Sequence, residues 1–243
     1  MTRSLGQRTA LCAIVVAALA VPAAAAAGGP SNGGAQAPDD PQPTTTQGMI
    51  SASGSQVTIT ARAGTMLRKR VRVRGSAPAS ATGRTVAIQR FDDATQSWQA
   101  VANATVAADG SYRARWRART VGQFRIRAVL LSSRASAANA TPELSITVHR
   151  PAVATWYGPG FYGHRTACGQ KLTRRLLGVA HKTLPCGTEV AVLYHGRRIT
   201  VPVVDRGPFR RGTAYDLTVA TAQALGFTHT ARLGAVRLRT ADR

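Results

Sequence analysis

Carboxylates are scarce in the last third of this sequence, and that scarcity narrows the chemistry available there. From Pro151 onward the acidic side chains are Glu189, Asp205, Asp216 and Asp242. A site that protonates a sugar oxygen, as glycosidic cleavage requires, must take its general acid from this set. Asp242 lies in the C-terminal tail and Glu189 begins an exposed-looking strand. Asp205 and Asp216 are therefore the candidates for proton transfer.

Each of these two aspartates also has a structural interpretation. The apolar, β-branched run 201–204 leads Asp205 into a Gly-Pro turn, where it can simply pair with Arg206. Asp216 precedes a short amphipathic segment, so we interpret it first as a helix N-cap or a residue that supports the site. Thr218 is the alternative cap.

His181 has two interpretations as well. A lone histidine beside apolar residues is usually a core or loop residue, but next to Lys182 it can also orient a carboxylate. Other kinds of site lack support in the sequence. It has no GxSxG elbow for Ser–His–Asp hydrolysis, no HExxH or paired CxxC for zinc, and no glycine-rich phosphate loop. We therefore expect neither a metal nor another cofactor.

The upstream sequence predicts export followed by a spacer. Arg3 and Arg8 precede an apolar run over 10–21 that is too short to remain in a bilayer, and small residues follow at 25–27. Residues 1–27 are therefore expected to be a cleaved signal peptide, which leaves no stable membrane span. Residues 28–49 are rich in Gly, Pro, Thr and Gln and predict a flexible linker.

Residues 50–149 predict a β-sandwich. Short runs alternate apolar and polar residues, and turn signals such as Ala108-Asp109-Gly110 separate them. About seven strands in about a hundred residues are typical of a sandwich, and the stretch 86–129 resembles the immunoglobulin-like modules of bacterial surface proteins. Four aromatic residues are assigned to the sandwich core, with stacking on sugars as the alternative: Trp98, Tyr112, Trp116 and Phe124.

Charge and cysteine usage both fit an exported protein. The formal net charge is +22, from 32 Lys and Arg against 10 acidic residues, which favours anionic surroundings. Export argues against nucleic acid and favours anionic wall polymers, headgroups or peptide carboxylates. Codon usage together with solubility is the alternative explanation. Loss of Cys12 with the signal leaves Cys168 and Cys186, which we predict to form a disulfide.

Residues 151–243 differ in composition from the two preceding regions and carry three motifs. Glycine and proline are dense, strands are short, and one helical patch covers 217–225 before Gly226. The motifs are WYGPGF with TACGQ, AHKTLPCGT, and DRGPF followed by DLT. In this order they resemble the rare lipoprotein A family of double-psi β-barrels, with expansins as more distant relatives. The resemblance covers roughly 154–238 and implies an all-β fold, a six-stranded barrel with a short helix.

The resemblance also implies an activity. Active members of the family are lytic transglycosylases, which cut peptidoglycan glycan strands, leave a 1,6-anhydro end and need no metal. The family's aspartate falls on Asp205, as acid/base, and its histidine on His181, as orienting partner. Gln170 stands where the family has a glutamate, and a glutamine cannot transfer a proton. The alternatives are a non-catalytic, expansin-like glycan-binding module and an interaction or inhibitor protein.

A glycan-binding groove follows from the same resemblance. Gln170 and Asp216 are expected to contact substrate, together with aromatic side chains that offer apolar faces to sugar rings: Trp156, Tyr157, Phe161 and Tyr162. For Trp156, packing inside the barrel is the alternative. A bridge between the two remaining cysteines would pin two loops beside this groove.

Overall fold

The computed structural model describes residues 46–54, 56–131 and 143–238, which all belong to one compact unit. The predicted all-β class is confirmed, since these ranges form strands, one short α-helix and a 3₁₀ turn at Ala79–Ala81. The strands are β1 Thr46–Gln47, β2 Met49–Gly54, β3 Val57–Arg62, β4 Gly64–Met66, β5 Arg70–Ser76, β6 Thr85–Asp92, β7 Ser97–Thr105, β8 Ser111–Arg117, β9 Gly122–Leu130, β10 Leu144–Tyr157, β11 Val179–Ala180, β12 Glu189–Tyr194, β13 Arg197–Asp205, β14 Tyr215–Thr218 and β15 Ala231–Arg237. The helix, α1, spans Val219–Leu225. Within the same ranges, no helix is long and apolar enough to cross a membrane.

Two facing sheets make up the first part of the described chain. One has the order β2-β3-β5-β8, and the other continues from β10 through β9 and β6 to β7. Buried and exposed residues alternate along the strands, as at Val57 and Ile59 in β3 and at Val71 and Val73 in β5. Because successive side chains point to opposite faces, the apolar sets of both sheets meet in one core. The relation of these sheets to immunoglobulin-like modules stays a prediction.

Three of the four aromatic residues assigned to this core do contribute to it. Tyr112 is buried and donates its hydroxyl to the Thr58 carbonyl. Trp116 and Phe124 are partly buried and pack against the same core.

The core assignment is wrong for Trp98. Its ring packs edge-on against Phe91, with the Arg127 guanidinium 4.2 Å from the ring centre. Arg127 follows Ile126, which points into the core, so its own side chain projects to the outer face of the sheet. Trp98 shares that outer face, where stacking with arginine replaces core packing.

Strand β10 runs without a break from the sandwich into a barrel. Its first half pairs with β9 and β4, and its second half, from Arg150, pairs with β15. The barrel has the order β14-β11-β13-β12-β15-β10, and pairing of β10 with β14 closes the ring. The predicted border near residue 150 therefore falls inside one continuous strand.

The closed ring is the predicted six-stranded double-psi β-barrel. The β10–β14 and β11–β13 pairs are parallel, and the other four pairs are antiparallel. Inward-pointing aliphatic side chains fill it, with the following residues at its centre: Val190, Val192, Ile199, Val201, Val203, Leu217 and Leu233.

The short helix lies where the sequence predicts it, at Val219–Leu225. The Thr218 hydroxyl accepts the Thr221 amide at its start, and Gly226 ends it in the left-handed conformation with φ of 66°. Asp216 does not cap the helix. It lies two residues too early, inside β14, and that correction matters for the site.

Parts of the N-terminal prediction lie outside the described residues, namely the signal peptide at 1–27 and the linker up to residue 45. The end of the predicted linker does have structure. Thr46–Gln47 pair with Arg198 and Arg197 of β13, and Met49 begins β2. Polar residues enter these strands because the ladder uses backbone groups, which every residue but proline supplies in full.

Candidate active site

A row of four residues crosses four neighbouring strands of the barrel. Thr155 of β10 pairs with Asp216 of β14, Asp216 with Ala180 of β11, and Ala180 with Asp205 at the end of β13. Residues paired in this way project to the same face of a sheet, so two carboxylates flank the small Ala180 side chain. Two strand spacings of about 4.8 Å put the Cα atoms of Asp205 and Asp216 roughly 10 Å apart.

These four side chains line an open groove of about 510 Å³. The other lining residues come from the end of β10 and from the loops around it: Trp156, Tyr157, Phe161, His164, Arg165, Thr166, Leu172, Arg206, Gly207, Pro208, Phe209 and Arg210. Apolar and aromatic surface beside a few polar groups is typical of a ligand site.

Backbone amides fix the orientation of Asp205. Its Oδ1 accepts hydrogen bonds from the amides of Ala167 and Arg206, each at 2.8 Å. The second amide belongs to the next residue in the turn, and the first reaches across from the loop before Cys168. Among the described residues, the Arg125–Glu143 contact meets the distance of an ion pair, and Asp205 forms none with Arg206. The turn therefore presents this carboxylate to the groove without a neutralising partner.

Asp216 has a more enclosed setting. Its Oδ1 accepts the Thr155 hydroxyl at 2.6 Å. Burial raises the pKa of Asp216, the Thr155 hydrogen bond opposes that rise, and the nearby Asp205 carboxylate adds to it. Asp216 thus keeps a proton more readily than a solvent-exposed aspartate does.

The Tyr157 hydroxyl lies beside both carboxylates. It is buried and lies within reach of the Asp205 side chain, but within the described ranges it forms no hydrogen bond of good geometry. Burial raises the pKa of Tyr157, and the charge of Asp205, its proximity as a hydrogen-bond acceptor and the charge of Asp216 raise it further, so the phenol stays protonated. An unpaired buried O–H beside two carboxylates is a donor available to a ligand.

Aromatic rings form the rim of the groove. Trp156 donates its Nε1–H to the Thr228 carbonyl at 3.2 Å, yet 38% of the residue stays exposed. Phe161 and Phe209 are 59% and 85% exposed. The tryptophan is therefore fixed at one edge with its ring accessible, and barrel packing does not account for it. Exposed rings of this size offer flat apolar faces to a sugar.

Comparison with known proteins agrees with this geometry. Residues 150–239 match the family model described as lytic transglycolase. The "Probable endolytic peptidoglycan transglycosylase RlpA" of Synechocystis sp. is 46% identical over 88 residues, which cover 35% of this chain and 27% of that protein. The protein of the same name from Aquifex aeolicus is 47% identical over 75 residues, or 30% of this chain and 33% of that protein. The barrel, which lies within residues 150–238, is an RlpA-like double-psi β-barrel.

The chain matches only about a third or less of the length of these relatives. For the "Endolytic peptidoglycan transglycosylase RlpA" of Campylobacter jejuni, 43% identity extends over 75 residues, which are 30% of this chain and 27% of that protein. The matched family model covers residues 150–239, which lie in the barrel part of the chain and not in the sandwich.

His181 lies away from the carboxylates of the RlpA-like barrel. Its Nδ1 accepts the amides of Thr183 and Leu184 at 3.2 and 3.0 Å, and its ring packs against Tyr215 with centroids 4.9 Å apart. Burial, helped by Arg206 and Lys182, lowers the pKa of His181. With Asp205 it shares a backbone hydrogen bond, His181 N–H to the Asp205 carbonyl, at 3.1 Å.

The expected side-chain contact between His181 and Asp205 is therefore not formed in this structure. The imidazole lines a different cavity, of about 510 Å³, together with Tyr215 and Arg232. The reason is local, since Nδ1 closes the turn that follows the histidine. A catalytic role for His181 stays a prediction.

Two more predicted substrate contacts lie off the groove lining of the RlpA-like barrel. Gln170 is exposed, and its Oε1 accepts the Thr166 hydroxyl at 3.1 Å. Through Thr166, which lines the groove, the amide helps to hold the loop. Tyr162 packs instead under the Arg174 guanidinium at 5.2 Å. Trp156, Tyr157, Phe161 and Asp216 do line the groove, as predicted.

The predicted disulfide between Cys168 and Cys186 is confirmed, with Cα atoms 5.6 Å apart. It joins the loop that supplies the Ala167 amide to the loop after β11. Arg206 supports the same junction, since its guanidinium donates to the Leu184 carbonyl at 2.9 Å and to Cys186 Sγ at 3.3 Å. Covalent and polar links thus hold both loops beside Asp205.

Phe209 and Thr155 were not among the predicted site residues. Thr155 has a detectable signal, since it precedes the tryptophan of the WYGPGF motif in a strand that ends at the site. Phe209 belongs to the quoted DRGPF motif, but its exposure follows from a turn whose direction the sequence does not reveal.

Proposed function

We propose that this protein is a lytic transglycosylase-type lyase that acts on peptidoglycan glycan strands. The observation that carries the proposal is the pair of carboxylates, Asp205 and Asp216, on either side of Ala180 in an open groove. The names of the relatives, which are 43–47% identical over 75–88 aligned residues, favour the same activity.

The two carboxylates can divide the proton transfers. Asp216, whose pKa is raised by burial, protonates the bridging oxygen that leaves C1 of N-acetylmuramic acid. The 6-hydroxyl of the same sugar attacks C1 and gives its proton to Asp205. The bond from C1 to the bridging oxygen breaks while the bond from C1 to O6 forms. The product ends in a 1,6-anhydro ring, and no water is consumed.

This assignment differs from the sequence prediction, which gave Asp205 both proton-transfer roles. Burial of Asp216 favours its use as the acid, and two backbone amides hold Asp205 in place as the base. The Tyr157 hydroxyl, unpaired among the described residues, can donate to a sugar oxygen between them. Trp156, Phe161 and Phe209 then supply apolar faces for rings on both sides of the cleaved bond.

The wall outside the membrane is the location that fits this activity. The signal peptide predicted at 1–27 would deliver the protein there, and the Cys168–Cys186 bridge suits an oxidising compartment. Glycan strands are the proposed partner, and the charge of +22 favours anionic wall polymers as a second one. Nucleic acid is not an expected partner in that setting.

The test is mass spectrometry of products from purified, peptide-stripped glycan strands. Wild type should release anhydro-ended fragments. Asp205→Asn and Asp216→Asn should each reduce the release at least about 100-fold, since loss of a proton-transfer group typically costs that much. Glu189→Gln is the matched control, because Glu189 is exposed at the start of β12 and does not line the groove.

Other products would revise the proposal in defined ways. Reducing-end fragments would make the protein a hydrolase that uses water in place of the 6-hydroxyl. Equal losses in all three variants would show that charge or folding, and not the groove, limits the reaction.

A non-catalytic glycan-binding module is the second candidate. The highly exposed Phe209 and Phe161 favour it, because a rim of free rings can bind sugars without cleaving them. Pull-down of glycan strands by wild type and by both aspartate variants, with no fragments from any, would establish this alternative and refute the lyase.

A further inference from the structure

A ladder of arginines covers the outer face of the first sheet. In β5 the exposed residues are Arg70, Arg72 and Arg74, and in β8 they are Arg113, Arg115 and Arg117. The register pairs them directly across the strands, Arg70 with Arg117, Arg72 with Arg115 and Arg74 with Arg113. We call these six residues the arginine ladder. Its three rungs each place two guanidinium groups side by side.

The ladder is repulsive as it stands. Like charges directly opposite each other on neighbouring strands destabilise a sheet. The sequences of β2, β3, β5 and β8 contain no acidic residue. Asp109, two residues before β8, accepts the Ser111 amide at 2.8 Å, and its charge interacts with Arg113 at one end of the ladder. Across the described ranges, the ion pair present joins Arg125 to Glu143, on the other sheet.

The spacing of the ladder is regular. Alternate residues of a strand lie about 6.5–7 Å apart, and directly opposed Cβ atoms lie about 5 Å apart. The three rungs therefore form a double row of positive charge about 14 Å long. At one end, Arg117 lines a cavity with Arg68 and Arg119, which extends the positive surface.

The chemistry of the face selects the kind of anion. Hydroxyl groups flank the ladder, with Ser51 bonded to Thr60 and Thr58 bonded to Ser76, each at 2.9 Å. Proteins that bind single-stranded nucleic acid combine a basic surface with aromatic rings on which bases stack. The aromatic residues of these four strands are Tyr112 and Trp116, and both turn toward the core.

We propose that the arginine ladder binds a linear phosphodiester chain that lacks bases, such as a polyol phosphate polymer of the cell wall. Guanidinium groups match phosphate oxygens in charge and hydrogen-bonding geometry. A glycerol unit between successive phosphates gives a repeat similar in length to that of the rungs. The choice of a wall polymer rests on the proposed location, whereas the binding site does not depend on the groove.

The test measures binding of lipid-free polyglycerol phosphate to the full chain over a range of salt concentrations. The ladder variant carries Arg70→Gln, Arg72→Gln and Arg74→Gln, so that every rung loses one charge. The control variant carries Lys171→Gln, Arg175→Gln and Arg211→Gln, three exposed barrel positions outside the groove lining that give the same change in net charge.

The ladder variant should bind at least tenfold more weakly at about 50 mM salt, with a slope of log K against log salt shallower by about 2, while the control stays near wild type. The ladder variant should also have a higher Tm at low salt, because the like-charge rungs are gone. This second result shows that it folds. Its release of glycan fragments should match wild type, which separates this proposal from the lyase.

Three results would overturn the proposal. If wild type does not bind polyglycerol phosphate, the proposed ligand is wrong. Equal weakening in the two variants would assign binding to net charge. Tighter, ladder-dependent binding of an oligothymidylate with the same number of phosphates would make the partner a nucleic acid.

Discussion

A histidine buried where the sandwich meets the barrel should make the stability of this protein sensitive to acid. His149 of β10 is fully buried. Its Nδ1 donates to the Thr65 carbonyl at 3.2 Å, and its Nε2 has no hydrogen-bond partner among the described residues. The site is tight, since a Cβ atom added to Gly64 would lie 3.1 Å from His149 Cε1, the ring carbon bonded to Nε2. Water therefore has little space to solvate a second ring proton.

The size of the effect follows from the pKa of this ring. Burial lowers the pKa of His149 to about 4, and the charge of Arg198 adds to that change, while the backbone interactions with Thr65 and Thr147 oppose it. In the unfolded chain the pKa returns to about 6.5. The folded protein thus favours the neutral ring, and the unfolded chain takes up the proton more readily. Each pKa unit is worth about 1.4 kcal/mol, so the difference amounts to about 3 kcal/mol.

The sign gives the pH window. The contribution is present in full above pH 6.5 and is lost as the pH falls from there toward about 4. The free energy of unfolding should be measured by denaturant titration at several pH values for wild type and His149→Asn. Asparagine keeps an N–H near the Nδ1 position but does not titrate.

The expected result is a difference in slope. His149→Asn should be less stable than wild type at pH 7.5 because of the smaller side chain, yet it should lose about 3 kcal/mol less on acidification. The matched control is His229→Asn, which changes an exposed histidine in the same way and should follow wild type. Parallel pH curves for wild type and His149→Asn would show that His149 does not cause the loss of stability in acid.

Three further changes test the groove. Replacing Cys168 and Cys186 by serine removes a bridge that spans 18 residues and should lower the free energy of unfolding by about 3 kcal/mol relative to the oxidised wild type. The dithiothreitol-treated wild type should match the variant, and an unchanged value in the variant would contradict the role given to the bridge. Thr155→Val removes the hydrogen bond that lowers the pKa of Asp216, so the alkaline limb of the pH–rate profile should move to higher pH. If Thr155 had only a structural role, the rate would fall and the alkaline limb would stay at the same pH. Ala180→Leu fills the space between the two carboxylates and should reduce the release of glycan fragments at least about tenfold, whereas Ala180→Ser should retain it. Equal release by the two folded variants would argue against substrate binding in that space.

Much of the barrel could be predicted because its signals are local. The order of the three motifs implies the barrel through the resemblance to the rare lipoprotein A family, and Thr218 and Gly226 delimit the helix in the sequence itself. The disulfide follows from the cysteine count and the export signal, without any geometry.

Which of the candidate residues lie together in the groove could not be predicted, because this depends on pairing between strands that are distant in sequence. Asp216 looks like a helix cap in sequence, and only the pairs it makes with Thr155 and Ala180 place it in the groove. His181 looks like a partner for Asp205, but its Nδ1 is occupied by its own turn. Hydrogen bonds to backbone amides have little sequence signature, so the sequence does not reveal that amides of the turn compete with Asp205 for the histidine side chain.

The arginine ladder is a second feature that could not be predicted, because it depends on strand register. The alternating arginines of β5 and β8 are visible in sequence as the polar face of two strands. Their opposition, with Arg72 beside Arg115, depends on register, and a slip of one residue would turn each arginine toward the core.

Three features of this protein reduce its own stability, and they differ in whether solvent or a ligand can reach them. The arginine ladder places like charges together, Asp216 is a half-buried carboxyl, and His149 leaves a ring nitrogen unpaired among the described residues. Local conflicts of this kind are expected at functional sites. The ladder and Asp216 are open to solvent or to a groove, so a ligand can relieve the repulsion or use the proton. His149 is closed on every side, which makes its effect one on stability alone.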